Sequence, residues 1–163
     1  MIINIADWEF DIDLQRTMAY SHAEALAHCD CAYCRNFYLA VDNASPQLRA
    51  FLTQFGVDLE APDELMPYDV DGRMLYEGTY VVFGRIRKPG KQGFAFGNAS
   101  LLPMEEDGYD FEEPYFVLTL ERIILPWVLD ESLKDVVSPA NEPFFIDKMM
   151  DHLLQIQDDT LTS

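Results

Sequence analysis

Apolar and polar residues alternate near the start of the chain. Residues 2–5 are rich in isoleucine, and from residue 8 to residue 14 apolar side chains alternate with the acids Glu9, Asp11 and Asp13. A period of two residues is typical of a half-buried β-strand. The pattern therefore predicts two short strands, the second of which carries one acidic face.

The pattern then becomes helical. Residues 15–27 are rich in Ala, Met, Glu and Leu, a composition that favours a helix. A second helix is predicted to begin at Cys31 with Asp30 as its cap, and a third follows Ser45-Pro46, a capping residue with proline at the first helical position. Because only residues 42–44 remain for a turn, we expect the second and third helices to form a helical hairpin.

The rest of the chain is rich in β-branched and aromatic residues. Its predicted elements are a proline-broken acidic loop at 58–71, strands 75–87 and 93–102 paired across a turn at 88–91, a strand at 115–125 and a C-terminal helix at 147–156. Since strands and helices are not regularly interleaved, the sequence predicts an α+β fold in which an antiparallel sheet carries the N-terminal helical hairpin and the C-terminal helix. The length of 163 residues is that of a single domain spanning 1–163.

The charge of the chain restricts its partners. The chain has 29 acidic and 11 basic residues, a formal net charge of -18. Such a charge repels phosphate backbones and anionic lipid headgroups, so we expect binding to neither nucleic acid nor a membrane and regard a basic protein as the natural partner. A simpler interpretation is that the charge only maintains solubility. No signal peptide or membrane-spanning run is visible, which favours the cytoplasm.

All three cysteines lie within six residues, as Cys29, Cys31 and Cys34. Zinc prefers four thiolate or imidazole ligands, and the Cys31-x-x-Cys34 spacing lets two sulfur atoms reach one ion. Cys29 is a third candidate ligand. His22 is the first candidate for the fourth ligand and His28 is the alternative. His152 would serve only if the C-terminal helix packed against the cluster.

Two other interpretations of the cysteines stay open. Thiols at a helix N-terminus have lowered pKa values, so Cys31 and Cys34 are candidates for redox chemistry, although no strand leads into them as in thioredoxin. The cysteines are also consistent with reduced, partly buried side chains that have no chemical role. An odd number of clustered cysteines argues against a secreted disulfide framework.

Two charged segments are weaker candidates. The acidic stretch at 105–113 and the Asp69–Val70–Asp71–Gly72 sequence could bind a cation, but neither has the ordered spacing of a calcium loop. Four basic residues crowd the predicted hairpin tip, where they contact an anionic partner or protect a sheet edge from aggregation. They are Arg85, Arg87, Lys88 and Lys91.

These features favour a small, acidic, cytosolic and non-enzymatic protein. The leading hypothesis is an inhibitor-like or immunity-like module that binds a basic partner and carries a structural Zn²⁺ site or a reduced-thiol cluster. The alternative is a metal-dependent or thiol-redox enzyme centred on Cys29, Cys31 and Cys34. No phosphate loop or hydrolase motif assigns a catalytic role to any other residue.

Overall fold

The computed structural model describes residues 1–136 and has a mixed α+β fold. Its helices are α1 (Leu14–Leu26), α2 (Ala32–Ala44), α3 (Pro46–Gln54) and the short α4 (Leu133–Val136). Its strands are β1 (Ile2–Ile5), β2 (Trp8–Ile12), β3 (Glu64–Val70), β4 (Arg73–Lys88), β5 (Phe94–Phe96), β6 (Ala99–Met104) and β7 (Tyr115–Pro126). The helix predicted at 147–156 lies outside the described residues.

The seven strands form a sheet in which every described pairing is antiparallel. The order is β1-β2-β4-β7-β6-β5, and β3 also pairs with β4. The long strand β4 organises the sheet, because β7 follows one of its edges while β3 and β2 share the other. The predicted α+β fold with an antiparallel sheet and helices is therefore confirmed, whereas the predicted arrangement of the helices on the sheet is not.

The shared edge of β4 has a gap between β3 and β2, and two side chains fill it. Thr17 of α1 accepts a hydrogen bond from the Phe83 N–H at 3.0 Å and donates one to the Asp13 carbonyl at 2.8 Å. Asp63 accepts a hydrogen bond from the Val81 N–H at 2.7 Å. Buried backbone donors must be paired, so these side chains take the place of the missing strand and fix α1 against the sheet.

One face of the sheet forms the main core with α2 and α3. Phe10 of β2 lies at its centre, with its ring centroid 5.0 Å from that of Phe55 and 5.5 Å from that of Phe116. The helices contribute buried apolar residues to this core, namely Phe37, Ala40, Val41, Leu48, Phe51 and Leu52. A smaller cluster of Val81, Phe83 and Val117 is covered by Tyr20 of α1 and by aromatic residues after β6.

The predicted loop at 58–71 is wrong, because its second half is strand β3. Pro67 is tolerated there because β3 pairs with β4 alone among the described strands, so the other edge of β3 needs no N–H from Pro67. Asp71 and Gly72 link β3 to β4 with positive φ angles of 51° and 82°. This is the Asp-Gly signature of a type I′ hairpin turn rather than a fragment of a calcium loop.

The predicted pairing of 75–87 with 93–102 is also wrong. Strand β4 pairs with β7, while β5 and β6 form their own hairpin across Gly97-Asn98. Gly97 has a φ of 63°, as suits the first position of a type II′ turn. The segment after β4 is instead held at the β1–β2 turn, where Trp8 Nε1 donates to the Gln92 carbonyl at 2.8 Å.

The boundary between α2 and α3 is sharper than predicted. Helix α2 continues to Ala44, so no three-residue turn exists at 42–44. Ser45 alone joins the helices, and its hydroxyl accepts from the Leu48 N–H at 3.2 Å, which confirms it as the cap of α3. The hairpin arrangement of these two helices stays a prediction.

Candidate metal centre

The three thiols converge where the α1–α2 connection enters α2. Cys31 is the N-cap of α2, one residue later than the predicted cap Asp30, and Cys34 lies in the first turn of the helix. Cys29 lies two residues before the cap. The three Sγ atoms all lie within 4.8 Å of one another, so the structure brings the predicted thiol ligands together.

The three sulfur atoms have different surroundings. Cys29 and Cys31 are exposed, whereas Cys34 is buried. The Cys31 N–H donates to Cys29 Sγ at 3.4 Å, and this bond lowers the pKa of the Cys29 thiol. Burial raises the pKa of the Cys34 thiol. The cluster therefore has two accessible sulfur atoms above one that is anchored in the protein.

Tyr38 and His28 support the chain at Cys29. The Tyr38 hydroxyl donates to the Cys29 carbonyl at 3.3 Å, and its pKa is raised first by burial and then by the charge of Cys34. The His28 ring lies against the Tyr38 ring, with the centroids 4.2 Å apart. His28 Nδ1 is 3.3 Å from the same carbonyl, a distance at which a protonated Nδ1 donates to it.

Arg35 secures the connection from the other side. Its Nε donates to the Asp30 carbonyl at 3.2 Å, and its Nη1 pairs with Glu131 at 2.8 Å. Glu131 raises the pKa of Arg35 through this hydrogen bond. The carbonyls of Cys29 and Asp30 thus accept hydrogen bonds from side chains of α2, which hold the approach to Cys31 against the helix.

The candidate fourth ligands lie in different places. His28 is adjacent in sequence, but its nitrogen atoms are not within the group formed by the three sulfur atoms. His22 lies on the exposed face of α1 and lines a cavity of about 310 Å³ with Arg49 and Asp58, so it is not in the group either. His152 lies outside the described residues. Within residues 1–136 the cluster offers three thiol ligands.

The donor set fits a thiophilic metal ion. Zinc binds thiolate at about 2.3 Å, which places two sulfur atoms of a tetrahedral site roughly 3.8 Å apart. A mutual separation of no more than 4.8 Å is close to that requirement, and small side-chain rotations would close it. The element before the thiols is helix α1 rather than a strand, so the surroundings differ from the βαβ context of a thioredoxin-like site.

The charged segments do not gather in the same way. Among residues 1–136 the acids at 105–113 form no group of metal-ligand atoms comparable to the thiols. Glu106 instead accepts hydrogen bonds from the N–H groups of Asp107 and Gly108. Of the basic residues near the end of β4, Arg87 pairs with Glu9 at 3.5 Å.

Tyr38 is a neighbour of the thiols that was not predicted from the sequence. Tyr38 lies four residues after Cys34, a spacing that places both side chains on the same face of a helix. That spacing was visible in the sequence, but the hydrogen bond from Tyr38 back to Cys29 depends on how the α1–α2 connection folds over α2.

Two further findings bear on function. No helix among the described residues is long and apolar enough to cross a membrane. In comparisons with protein-family models, curated proteins and solved structures, the chain has no significant match. A functional proposal for this chain therefore starts from the thiol cluster and its surroundings.

Proposed function

We propose that the chain is a non-enzymatic, cytoplasmic metal-binding protein in which Cys29, Cys31 and Cys34 hold one Zn²⁺. The convergence of the three Sγ atoms within 4.8 Å supports this proposal. Soft thiolate ligands at this spacing suit zinc better than Mg²⁺ or Ca²⁺, which prefer oxygen.

His28 is the proposed fourth ligand. Metal-binding histidines usually donate their second ring N–H to a carbonyl or carboxylate, which fixes the tautomer. His28 Nδ1 already lies beside the Cys29 carbonyl, so Nε2 would keep the lone pair that a metal needs. His22, the first candidate from the sequence, lies within α1 and lines a different site with Arg49 and Asp58.

The bound ion would have a structural role. It would tie the exposed Cys29 and Cys31 to the buried Cys34 and so close the α1–α2 connection onto α2. Because the unfolded chain rarely preforms such a site, the free energy of metal binding adds to the stability of the fold. Removal of the metal would therefore loosen the start of α2 first.

The proposed role of the folded module is to bind a basic partner protein, as an inhibitor or immunity-type protein does. The net charge of -18 supports this role because it accelerates encounter with a basic surface. A suitable acidic segment is 105–113, which presents exposed carboxylates while Tyr109 and Phe111 pack against the sheet.

Elemental analysis and native mass spectrometry test the metal proposal. The full chain is purified without a metal-binding tag, and one zinc per chain is expected. Cys29→Ser should no longer bind one zinc per chain. Because Cys29 is exposed, the variant should keep the circular dichroism spectrum of the folded parent. His22→Ala is the matched control for His28→Ala, and only the latter should weaken zinc binding, by about tenfold or more. Equal zinc binding by Cys29→Ser and the parent would contradict the proposal.

Affinity capture at two salt concentrations tests the partner proposal. A basic protein retained at low salt and released at high salt is the expected result, because surface charges are screened within about 10 Å at 0.1 M salt. Retention that ignores salt, or no basic protein retained, would contradict the role of the acidic surface.

A further inference from the structure

We infer that the three thiols form a binding site for a trivalent arsenic or antimony species, and that this site holds such an ion more tightly than it holds Zn²⁺. The inference rests on the proposed function, in that it takes Cys29, Cys31 and Cys34 to be one ligand set. It differs in naming an ion that needs no fourth ligand.

The number of donors is the first argument. The group of ligand atoms among the described residues contains three sulfur atoms and no imidazole or carboxylate. Zinc is almost always four-coordinate in structural sites, so here it must recruit His28 or a water molecule. Trivalent arsenic forms three bonds in a pyramid and directs a lone pair away from them. Three thiols therefore satisfy it completely.

The exposure of the cluster matches that pyramid. Cys34 is buried in the first turn of α2, while Cys29 and Cys31 are exposed. A pyramidal ion seated on the three sulfur atoms would turn its lone pair toward solvent, where no ligand is required. A tetrahedral ion would need His28 or a water molecule as a fourth ligand in that direction.

Charge is the second argument. Three thiolates with a divalent ion carry a charge of -1, whereas three thiolates with a trivalent ion are neutral. Asp30 lies between Cys29 and Cys31, the chain carries a net charge of -18, and the nearby Arg35 is paired with Glu131. A neutral product avoids adding negative charge to a negative environment.

The reaction balances without an oxidant or reductant. Arsenious acid, As(OH)₃, reacts with three cysteine thiols to give As(S-Cys)₃ and three water molecules. Three As–O bonds and three S–H bonds break, and three As–S bonds form. Each thiol proton leaves with a hydroxide as water, and arsenic stays trivalent.

The protein holds the thiols close together before the ion arrives. The Cys31 N–H bond to Cys29 Sγ and the Tyr38 bond to the Cys29 carbonyl both restrain the turn. Cys34 is fixed by the helix. Such preorganisation lowers the entropic cost of bringing three ligands together, which increases affinity.

A titration of the full, reduced chain with sodium arsenite tests the inference. The buffer is free of thiols and oxygen, and binding is followed by near-ultraviolet sulfur-to-arsenic absorption and by native mass spectrometry. We expect the mass of the chain to increase by one arsenic atom less three hydrogen atoms. We also expect arsenite to displace zinc from the zinc-loaded chain. Cys29→Ser, at an exposed position, should not form the complex in which arsenic replaces three thiol hydrogens. Its circular dichroism spectrum should remain that of the folded parent. His22→Ala, at an exposed position of α1 outside the thiol group, should bind arsenite as the parent does.

The outcomes separate this inference from the proposed function. One zinc per chain without arsenite binding would overturn the inference and leave the zinc site standing. Failure to bind either ion would overturn both. Arsenite binding that survives in Cys29→Ser would show a two-thiol site, and a nitrogen neighbour in the arsenic-edge X-ray absorption spectrum would show a fourth ligand, so either result would overturn the three-coordinate site.

Discussion

Replacing Asp63 by asparagine should change how the stability of the protein depends on pH. The Asp63 carboxyl accepts hydrogen bonds from the Tyr20 hydroxyl at 2.5 Å and from the Val81 N–H at 2.7 Å, in the gap between β3 and β2. Burial raises its pKa from 3.8 to about 6 in spite of these two bonds, and the charge of Glu24 adds to the increase.

The sign of the effect follows from the direction of this shift. A carboxyl whose pKa is raised on folding contributes stability that is complete below its unfolded value of 3.8 and is lost as pH rises through about 6. A shift of about two units corresponds to roughly 3 kcal/mol in total. Roughly half of this change falls between pH 5 and pH 8.

Urea unfolding at pH 5 and pH 8, followed by tryptophan fluorescence, measures the effect. Asparagine does not ionise, so the free energy of unfolding of Asp63→Asn relative to the parent should increase by roughly 1–2 kcal/mol from pH 5 to pH 8. Asp107→Asn, at an exposed position, is the matched control and should show no such increase. A parent-to-variant difference that is the same at both pH values would show that the pKa of Asp63 is not raised on folding.

Three further substitutions test the packing around the sheet by the same unfolding measurement. Asn36→Ala should destabilise the protein by about 2–4 kcal/mol, because it removes the acceptor of the Val128 N–H and the amide that donates to the Tyr76 hydroxyl and the Pro126 carbonyl. Thr17→Val should cost about 1–3 kcal/mol by removing the acceptor of the Phe83 N–H. Gly84→Ala should prevent β2 from pairing with β4 and cost several kcal/mol (roughly 3 or more), because φ is 138° and an added Cβ would collide with the β2 backbone.

Matched substitutions distinguish these causes from general damage. Asn43 is exposed on the same helix as Asn36, so Asn43→Ala should lower the free energy of unfolding less than Asn36→Ala does. Thr17→Ser keeps the hydroxyl, so it should lower this free energy less than Thr17→Val does. Gly97→Ala also has a positive φ but meets no atom within 4 Å, so only about 1 kcal/mol of backbone strain is expected. If a control equals its partner in cost, the proposed contact is not the cause.

The local elements were predictable from the sequence. The isoleucine-rich stretch at 2–5 and the alternation at 8–14 predicted β1 and β2, and Ser45-Pro46 predicted the start of α3, because each signal depends on a few adjacent residues. The strand at 115–125 was recognisable for the same reason. Strand β3 was missed because Pro67 and the surrounding acids obscured it, although the Asp71-Gly72 turn signal was present.

The pairing of the strands was less predictable. Strands β4 and β7 are far apart in sequence, and their pairing is set by packing over the whole sheet rather than by any turn. The gap filled by Thr17 and Asp63 also arises only when three separate segments meet. Neither feature has a local sequence signal.

The candidate site was predictable in part. Short spacing alone was enough to place Cys29, Cys31 and Cys34 together. The surroundings of the two histidines were not predictable, because they depend on the direction in which the chain leaves α1 at Leu26. That direction leaves His28 beside Tyr38 and His22 beside Asp58.

X-ray absorption at the zinc edge of the zinc-loaded full chain tests most directly the claim that the three thiols are one ligand set. We expect three sulfur neighbours at about 2.3 Å and one nitrogen or oxygen neighbour at about 2.0–2.1 Å. His28→Ala should change only the nitrogen or oxygen contribution. A spectrum with fewer than three sulfur neighbours would contradict the claim.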